Sequence, residues 1–263
     1  MNFINLKGVP DFECTEYAQK KTKYCLLIPI INENGRIQKE LQRANLFKIH
    51  ELVDIIICDG GSTDGCTSAD TLTALGVNTL LTKIGYGKQG TQLRMGFWWA
   101  LERGYEGFIT IDGNNKDSIE DVPSFIEKLD EGYDFVQGSR FVRGGKAINT
   151  PLMRYIAVRL IHAPIISLTA KKWFTDTTNA YRAYSKKYIT HLGVQIFRDI
   201  FVSYELLAYL SVRASQIGLR TCEIPVTRAY PKGEKTPTKI KGFRGNSLLL
   251  KILLENAMGK YNV

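Results

Sequence analysis

The sequence predicts an α/β protein built on a mostly parallel sheet with helices on both faces. Three observations carry this. Five short apolar runs, YCLLIPII (24–31), VDIIICD (53–59), VNTLLT (77–82), FITID (108–112) and YDFVQGS (133–139), have the length and composition of buried strands. Amphipathic stretches with helical period lie between them, near 36–50, 64–75, 91–103 and 119–131. Strand–helix alternation of this kind gives crossover connections, and crossovers set consecutive strands parallel. Such sheets bind ligands beyond the carboxyl ends of their strands. The residues to weigh are therefore those that follow each run: NENG, DGGSTDG and DGNNKD.

The first run leaves as PIINENG (29–35), where Pro29 fixes the exit and Glu33 can accept ribose hydroxyls. On its own this reads equally as a polar loop. The second ends as ICDGGSTDG (57–65). Asp59 is an acceptor-only carboxylate suited to the N–H edge of a nucleobase. Gly60 and Gly61 permit a tight backbone, and Ser62, Thr63 and Asp64 can cap the next helix. An ordinary strand–turn–helix accounts for it about as well. The third opens IGYGKQG (84–90), which contains G-x-G-x-x-G but follows the third strand and lacks a strand-end acid at the ribose position. Lys83 and Lys88 make it a basic loop suited to a phosphate. The fourth ends in FITIDGNNKDS (108–118), where Asp112 is presented as a metal-binding carboxylate would be.

Beyond residue 140, LMRYIAVRLIHAPIISLTA (152–170) is helical in period, with Arg154 and Arg159 among apolar residues. Pro164 predicts a kink or a helix pair there. FTDTTNAYRAYS (174–185) reads as a tight loop, 201–217 as a helix, LRTCEIPVTR (219–228) as a strand, YPKGEKTPTK (230–239) as a loop and NSLLLKILLENAM (246–258) as a helix. With no repeat or linker, one domain over 1–263 is expected, in two halves, 22–140 and 141–263.

The bulk composition narrows the class. A hydrophobic fraction of 44% and a charged fraction of 23% suit a chain with a real core. Five cysteines without a C-x-x-C pair argue against a disulfide framework and a zinc site. No apolar run approaches the ~20 residues of a membrane span, and the N-terminus carries acids where a signal peptide is apolar. A cytosolic protein is expected. The net charge of +9 calls for an anionic partner: nucleic acid, a membrane surface or a phosphorylated small molecule. Helix-turn-helix, zinc-finger and RNA-binding signatures are missing, so nucleic acid is not the expected one.

Taken in order, PIINENG, DGGSTDG, a Gly-rich turn opening TQLRMGFWWA, and IDGNNKDSIEDVPSFI resemble the family 2 glycosyltransferases of GT-A fold. FVQGSRFVRGG, TDTTNAYRAYS, SYELLAYLSVRASQIGLRTCEIPVTR and KGEKTPTKI resemble, within that family, the polyprenyl-phosphate (dolichyl-phosphate) mannose or glucose synthases; the similarity covers residues 22–240. The resemblance implies that Pro29, Asn32, Glu33, Asp59, Gly60 and Lys88 bind the donor nucleotide. It implies that Asp112 opens a D-x-D motif holding Mg2+ or Mn2+ and the diphosphate. Arg140 and Arg154 would face the acceptor phosphate, Asp176 with Arg182 would shape the acceptor side, and the loop from Lys232 to Lys235 would fold over the diphosphate.

Two positions depart from that pattern. Asn114 stands where the second D-x-D carboxylate belongs, and Lys116 where a metal-ligating glutamine is common; a protonated lysine has no lone pair to offer. One account keeps the metal on Asp112 and Asn114, helped by Asp117 if the turn folds back. The other weakens or removes the metal requirement, with the Lys116 ammonium acting on the diphosphate and joining Asp112, Arg140 and Arg182 as catalytic groups. In the bland alternative Lys116 points to solvent. A phosphate acceptor needs arginines and no base, which suits Arg140, Arg154, Arg159 and Arg182. A sugar-hydroxyl acceptor in cell-surface glycan assembly needs a base, for which Glu205 and Asp199 are the candidates. A non-catalytic donor-binding protein is the third reading. The helix at 152–170 is expected to lie on the cytosolic membrane face or to form a homo-oligomer interface.

Overall fold

A computed structural model describes residues 8–232 and 242–263. Eight strands form the main sheet: β1 (Phe12–Glu16), β2 (Tyr24–Ile30), β3 (Asp54–Asp59), β4 (Val77–Lys83), β5 (Gly107–Thr110), β6 (Phe135–Ser139), β8 (Arg182–Ser185) and β9 (Thr221–Pro225). Their order is β1-β4-β3-β2-β5-β8-β6-β9. The two short strands β7 (Lys146–Ile148) and β10 (Thr227–Ala229) pair in parallel beside it. All five strands read from the sequence are present, and β4, β3, β2 and β5 run parallel.

Side chains alternate across the sheet with period two. Cys25 and Leu27 of β2 join one core; Leu26, Ile28 and Ile30 join the other. The first core lies under α4 (Gln89–Glu102), α7 (Ala163–Ala170), α9 (Glu205–Gln216) and α10 (Gly242–Ala257). The second lies under α1 (Arg36–Leu46), α2 (Ile49–Leu52), α3 (Ala69–Ala74) and α5 (Val122–Asp130). The remaining helices are α6 (Leu152–Ala157) and α8 (Lys186–Ile189).

Several expectations need correction. FTDTTNAYRAYS is not all loop, because its end is β8, inserted antiparallel between β5 and β6. The helix expected over 64–75 begins only at Ala69, with no side-chain cap; the residues before it serve a loop contact described below. The helix expected over 201–217 starts at Glu205. LRTCEIPVTR is two strands in two sheets, β9 and β10.

Pro164 neither ends nor splits its helix. A π-helical stretch, Val158–His162, precedes it, and this widened turn is where the helix accommodates a proline that cannot donate an intrahelical bond. The result is one 19-residue helix, Leu152–Ala170, long and apolar enough to cross a membrane by length and composition. That overturns the expectation that no segment reaches such a length. Arg154 and Arg159 interrupt the apolar run without ending the helix. Only 22% of this helix is buried, and Leu152, Met153, Leu160 and Leu168 are exposed.

Candidate active site

The loops after β2 and β3 are stitched to each other. The Asn32 N–H donates to Ser62 Oγ at 2.9 Å, and Asn32 Oδ1 accepts from the Thr63 N–H at 2.8 Å. Asp64 accepts from the Asn34 N–H at 2.8 Å. Ser62, Thr63 and Asp64 therefore bind the neighbouring loop rather than cap a helix. Asp59 is 1% exposed and accepts from the N–H groups of Gly61 (3.0 Å) and Ser62 (2.9 Å), so its carboxylate is held by its own turn. Glu33 pairs with Arg36 at 2.5 Å. Pro29 pairs with Cys58 in register, and the β5 ladder ends earlier, at Leu27↔Thr110. No β5 ladder bond is lost at the proline.

Helix α4 supplies two residues that the sequence reading passed over. Buried Gln92 donates to Ile30 O (2.6 Å) and Cys58 O (2.8 Å), tying together the ends of β2 and β3 beside Gly60. Gln89 donates to Asp112 Oδ1 at 3.0 Å. Lys88 is exposed, and its N–H is bound to Val202 O at 2.9 Å.

The turn after β5 is fixed from three directions. Gly113 lies so close to β2 that a Cβ would sit 2.4 Å from Ile30 Cγ2, so only glycine fits. Asn115 adopts φ 55°, and its N–H donates to buried Glu40 of α1 at 2.7 Å. Arg43, also on α1, donates to Asn115 Oδ1 at 3.0 Å. From the third side, β10 lies against the turn through Ala229 N–H to Lys116 O at 2.8 Å and Ser118 N–H to Thr227 O at 3.0 Å.

This last contact delivers Arg228, which the sequence reading did not single out. Its guanidinium reaches Asp112 Oδ2 at 3.1 Å through Nη2 and Asp117 Oδ2 through Nη1. Asp117 is 0% exposed, so the turn does fold back, but toward an arginine. The two acids diverge in consequence. At Asp112 burial pushes the pKa up, but Arg228 and Lys116 outweigh it and hold the carboxyl below its usual range. At Asp117 burial wins over Arg228 and the pKa is raised. Lys116 is 5% exposed and does not point to solvent; burial, then Arg228, pull its pKa down to about 8 against the pull of Asp112.

In the second half of the chain, Arg140 binds Asp176 through Nε (2.6 Å) and Nη2 (2.9 Å), with both side chains buried. Asp176 thus pairs with Arg140 and not with Arg182. Arg182 does not face an acceptor either. It is 2% exposed and donates to three carbonyls, Asn179 O, Leu207 O and Thr177 O, which corrects its expected role at the phosphate. Burial in β8 forces that outcome, since a guanidinium there must find backbone acceptors. Arg154 donates to the Tyr230 hydroxyl at 3.1 Å, and exposed Arg159 lies 5.1 Å from the Phe141 ring. Glu205 accepts the Ser203 N–H, and Asp199, 78% exposed, pairs with Arg94 at 3.1 Å. Lys232 is exposed; Lys235 lies outside the described residues.

Among the described residues no group of three His, Cys, Asp or Glu side chains is arranged to hold a metal ion. Asp112 offers one carboxylate, and Asn114 Oδ1 is buried without a hydrogen-bond partner. One carboxylate and one amide oxygen suit Mg2+ or Mn2+ only together with substrate phosphates.

A sheet that ends in an acidic turn, flanked by a two-loop platform and a cluster of cations, is the arrangement of a GT-A glycosyltransferase. Solved structures with this fold include glucosyl-3-phosphoglycerate synthase from Mycobacterium tuberculosis in complex with Mn2+, UDP and phosphoglyceric acid. It superposes with a TM-score of 0.61 at 15% identity, covering 89% of this chain and 78% of that one. The same synthase with Mg2+ and UDP also gives 0.61, at 16% identity over 90% and 79%. No family model matches the chain. Undecaprenyl-phosphate mannosyltransferase of Micrococcus luteus is 31% identical over 197 residues, 72% of this chain and 76% of the relative. Polyprenol monophosphomannose synthase of Mycolicibacterium smegmatis is 24% identical over 233 residues, 86% and 84% of the two chains. The chain belongs to the polyprenyl-phosphate sugar transferases of glycosyltransferase family 2.

Proposed function

We propose that this glycosyltransferase moves a sugar from a nucleoside diphosphate to a polyprenyl phosphate, with inversion, on the cytosolic face of a membrane. The observation that carries the reading is the cluster of cations, with Arg228 and Lys116 at the Asp112 turn and Arg154, Arg140 and Arg228 around Tyr230, while neither candidate base is free among the described residues. Both candidate bases are engaged elsewhere, Glu205 on the Ser203 N–H and Asp199 on Arg94. That disfavours a sugar-hydroxyl acceptor, which needs a proton removed. A phosphate oxygen is already anionic. It forms the new bond to the anomeric carbon as the bond to the diphosphate oxygen breaks, and the electron pair leaves with the nucleoside diphosphate.

The departing charge is stabilised by cations held in place beforehand. Asp112 and Asn114 would hold a divalent ion that arrives with the diphosphate and acts as a Lewis acid there. Lys116 and Arg228 supply fixed positive charge at the same turn, so the metal requirement is weaker than a two-carboxylate site would impose. The loop platform of Asn32, Glu33, Asp59 and Gly60 is the nucleoside side, with Pro29 and Lys88 at its margins. Lys232 and Lys235 are the diphosphate loop. A sheet that draws β8 and β9 from the second half supports treating both halves as one catalytic unit.

Thermal shifts with a panel of nucleoside diphosphates, each in chelator and in Mg2+ or Mn2+, test the donor side. One nucleotide is expected to raise the melting temperature by mass action. Most of that rise should survive in chelator. A rise seen only with metal would remove the role given to Lys116 and Arg228; no rise with any nucleotide would end the donor-binding reading.

The exposed face of Leu152–Ala170 is the proposed membrane contact. Leu152, Met153, Leu160 and Leu168 are joined by Trp173, 69% exposed, with Arg154, Arg159, Lys171 and Lys172 alongside. Apolar side chains edged with cations suit an anionic lipid surface. Sedimentation with vesicles containing anionic phospholipid should carry the protein down, and Leu160→Asp should reduce the bound fraction severalfold. If instead the vesicles make no difference and Leu160→Asp halves the mass in solution, the face is an oligomer interface.

A further inference from the structure

Tyr230 stands where the cations of the site converge. It is 3% exposed. Its backbone is fixed by its N–H to Ile148 O at 3.0 Å and by Asn149 Nδ2 donating to its carbonyl at 3.1 Å. Around its ring centroid lie Lys116 Nζ at 5.4 Å, Arg154 Cζ at 5.7 Å and Arg228 Cζ at 5.9 Å. The hydroxyl accepts from Arg154 at 3.1 Å.

The cations differ in how they are balanced. Arg140 has Asp176, and Arg228 has both Asp112 and Asp117. Among the described residues Arg154 has no carboxylate partner. Its one hydrogen bond is to the phenol oxygen, and the phenol's own O–H has no acceptor among the described residues. A buried hydroxyl donor without an acceptor, fixed beside an unbalanced guanidinium, is half of a binding site for an anionic oxygen. The ring also explains the geometry. Its face holds several cations close together without adding a full negative charge that would repel an anion.

Building on the proposed transfer to a lipid phosphate, we infer that Tyr230 is a further substrate-binding residue. It donates its O–H to the acceptor's phosphate while presenting Arg154 to the same group. The hydroxyl is primed for this. Burial would push its pKa up, but Arg228, Arg154 and Arg140 pull it down to about 8, and a more acidic O–H is a stronger donor to phosphate. The site takes a phosphate monoester, whether on a lipid or free.

Two measurements test this. Tyr230→Phe keeps the ring and its cation contacts and removes only the hydroxyl. With a short-chain polyprenyl phosphate as acceptor, KM for the acceptor is expected to rise roughly 10- to 100-fold, the range for one hydrogen bond to a charged group. KM for the donor should stay within about twofold. An unchanged acceptor KM, or a rise in donor KM instead, overturns the inference. Independently of turnover, inorganic phosphate is titrated into protein saturated with its nucleoside diphosphate, so that the donor side is filled. Phosphate should raise the melting temperature of the wild type, less so that of Tyr230→Phe, and least that of Arg154→Gln. Equal shifts in all three, or none in the wild type, overturn the subsite. If the graded shifts appear in a protein that transfers only to sugar hydroxyls, the lipid-phosphate reading fails and the anion subsite stands.

Discussion

Replacing Asp112 by asparagine is expected to slow sugar transfer about a hundredfold or more. Both of its carboxylate oxygens accept hydrogen bonds, Oδ1 from Gln89 and Oδ2 from Arg228. An asparagine can serve only one of them. Whichever way its amide turns, an NH2 group meets another donor, and the contact to Arg228 or to Gln89 is lost. The negative charge that draws Arg228 and any divalent ion to the turn is lost as well. Hydrogen bonds to charged groups are worth about 1.5–3 kcal/mol, or roughly 10- to 150-fold in rate if realised in the transition state. Initial rates with donor and lipid acceptor, alongside a melting curve, separate chemistry from folding. Turnover within threefold of wild type would remove Asp112 from the centre of the site. A collapse in melting temperature would make the loss structural.

The position of Asp112 was legible because a strand end, a glycine and a polar turn leave a local trace. The five core strands were legible for the same reason, being apolar runs of strand length. What escaped depended on distant partners. Strand β1 buries only Phe12 and exposes the other four residues, so it carries no apolar run. Strand β8 is four residues long with Arg182 inside it, and nothing local reveals that three carbonyls await that guanidinium. Arg228 and Tyr230 sat within a stretch already read as strand and loop. Their meaning comes from the bridge between Asp117 and Arg228, across more than a hundred residues. Asp176 was expected to pair with Arg182 and pairs with Arg140 instead, since pairing is a matter of tertiary geometry. Gln92 gave one signal in retrospect: a polar residue among the buried positions of α4, a helix that is otherwise mostly apolar on that face.

The Arg228–Asp117 pair should dominate local stability, and a double-mutant cycle can show it. Arg228 is 7% exposed at its side chain and Asp117 0%. Removing one member of a buried pair leaves an uncompensated charge, at a cost of about 3–5 kcal/mol. Arg228→Ala should therefore destabilise the protein by about that much in a urea melt at neutral pH. Adding Asp117→Asn to it removes the stranded carboxylate, and should recover a substantial part of the loss rather than add to it. The pH dependence follows from the raised pKa of Asp117, which burial sets first and Arg228 opposes. A carboxyl with a raised folded value contributes stability that is fully present below its unfolded value and is lost as the pH rises through the folded one. Without Arg228 the folded value climbs further, so the deficit of Arg228→Ala should widen as the pH rises from the folded value of the wild type toward that of the variant. In the double variant the part of this widening that belongs to Asp117 should be absent, leaving only the part from Asp112, whose carboxyl Arg228 also holds down. A deficit that is flat in pH, or one that Asp117→Asn deepens, would mean that the two residues do not balance each other. Arg228 would then have to be held at the Asp112 turn by the backbone of β10 alone.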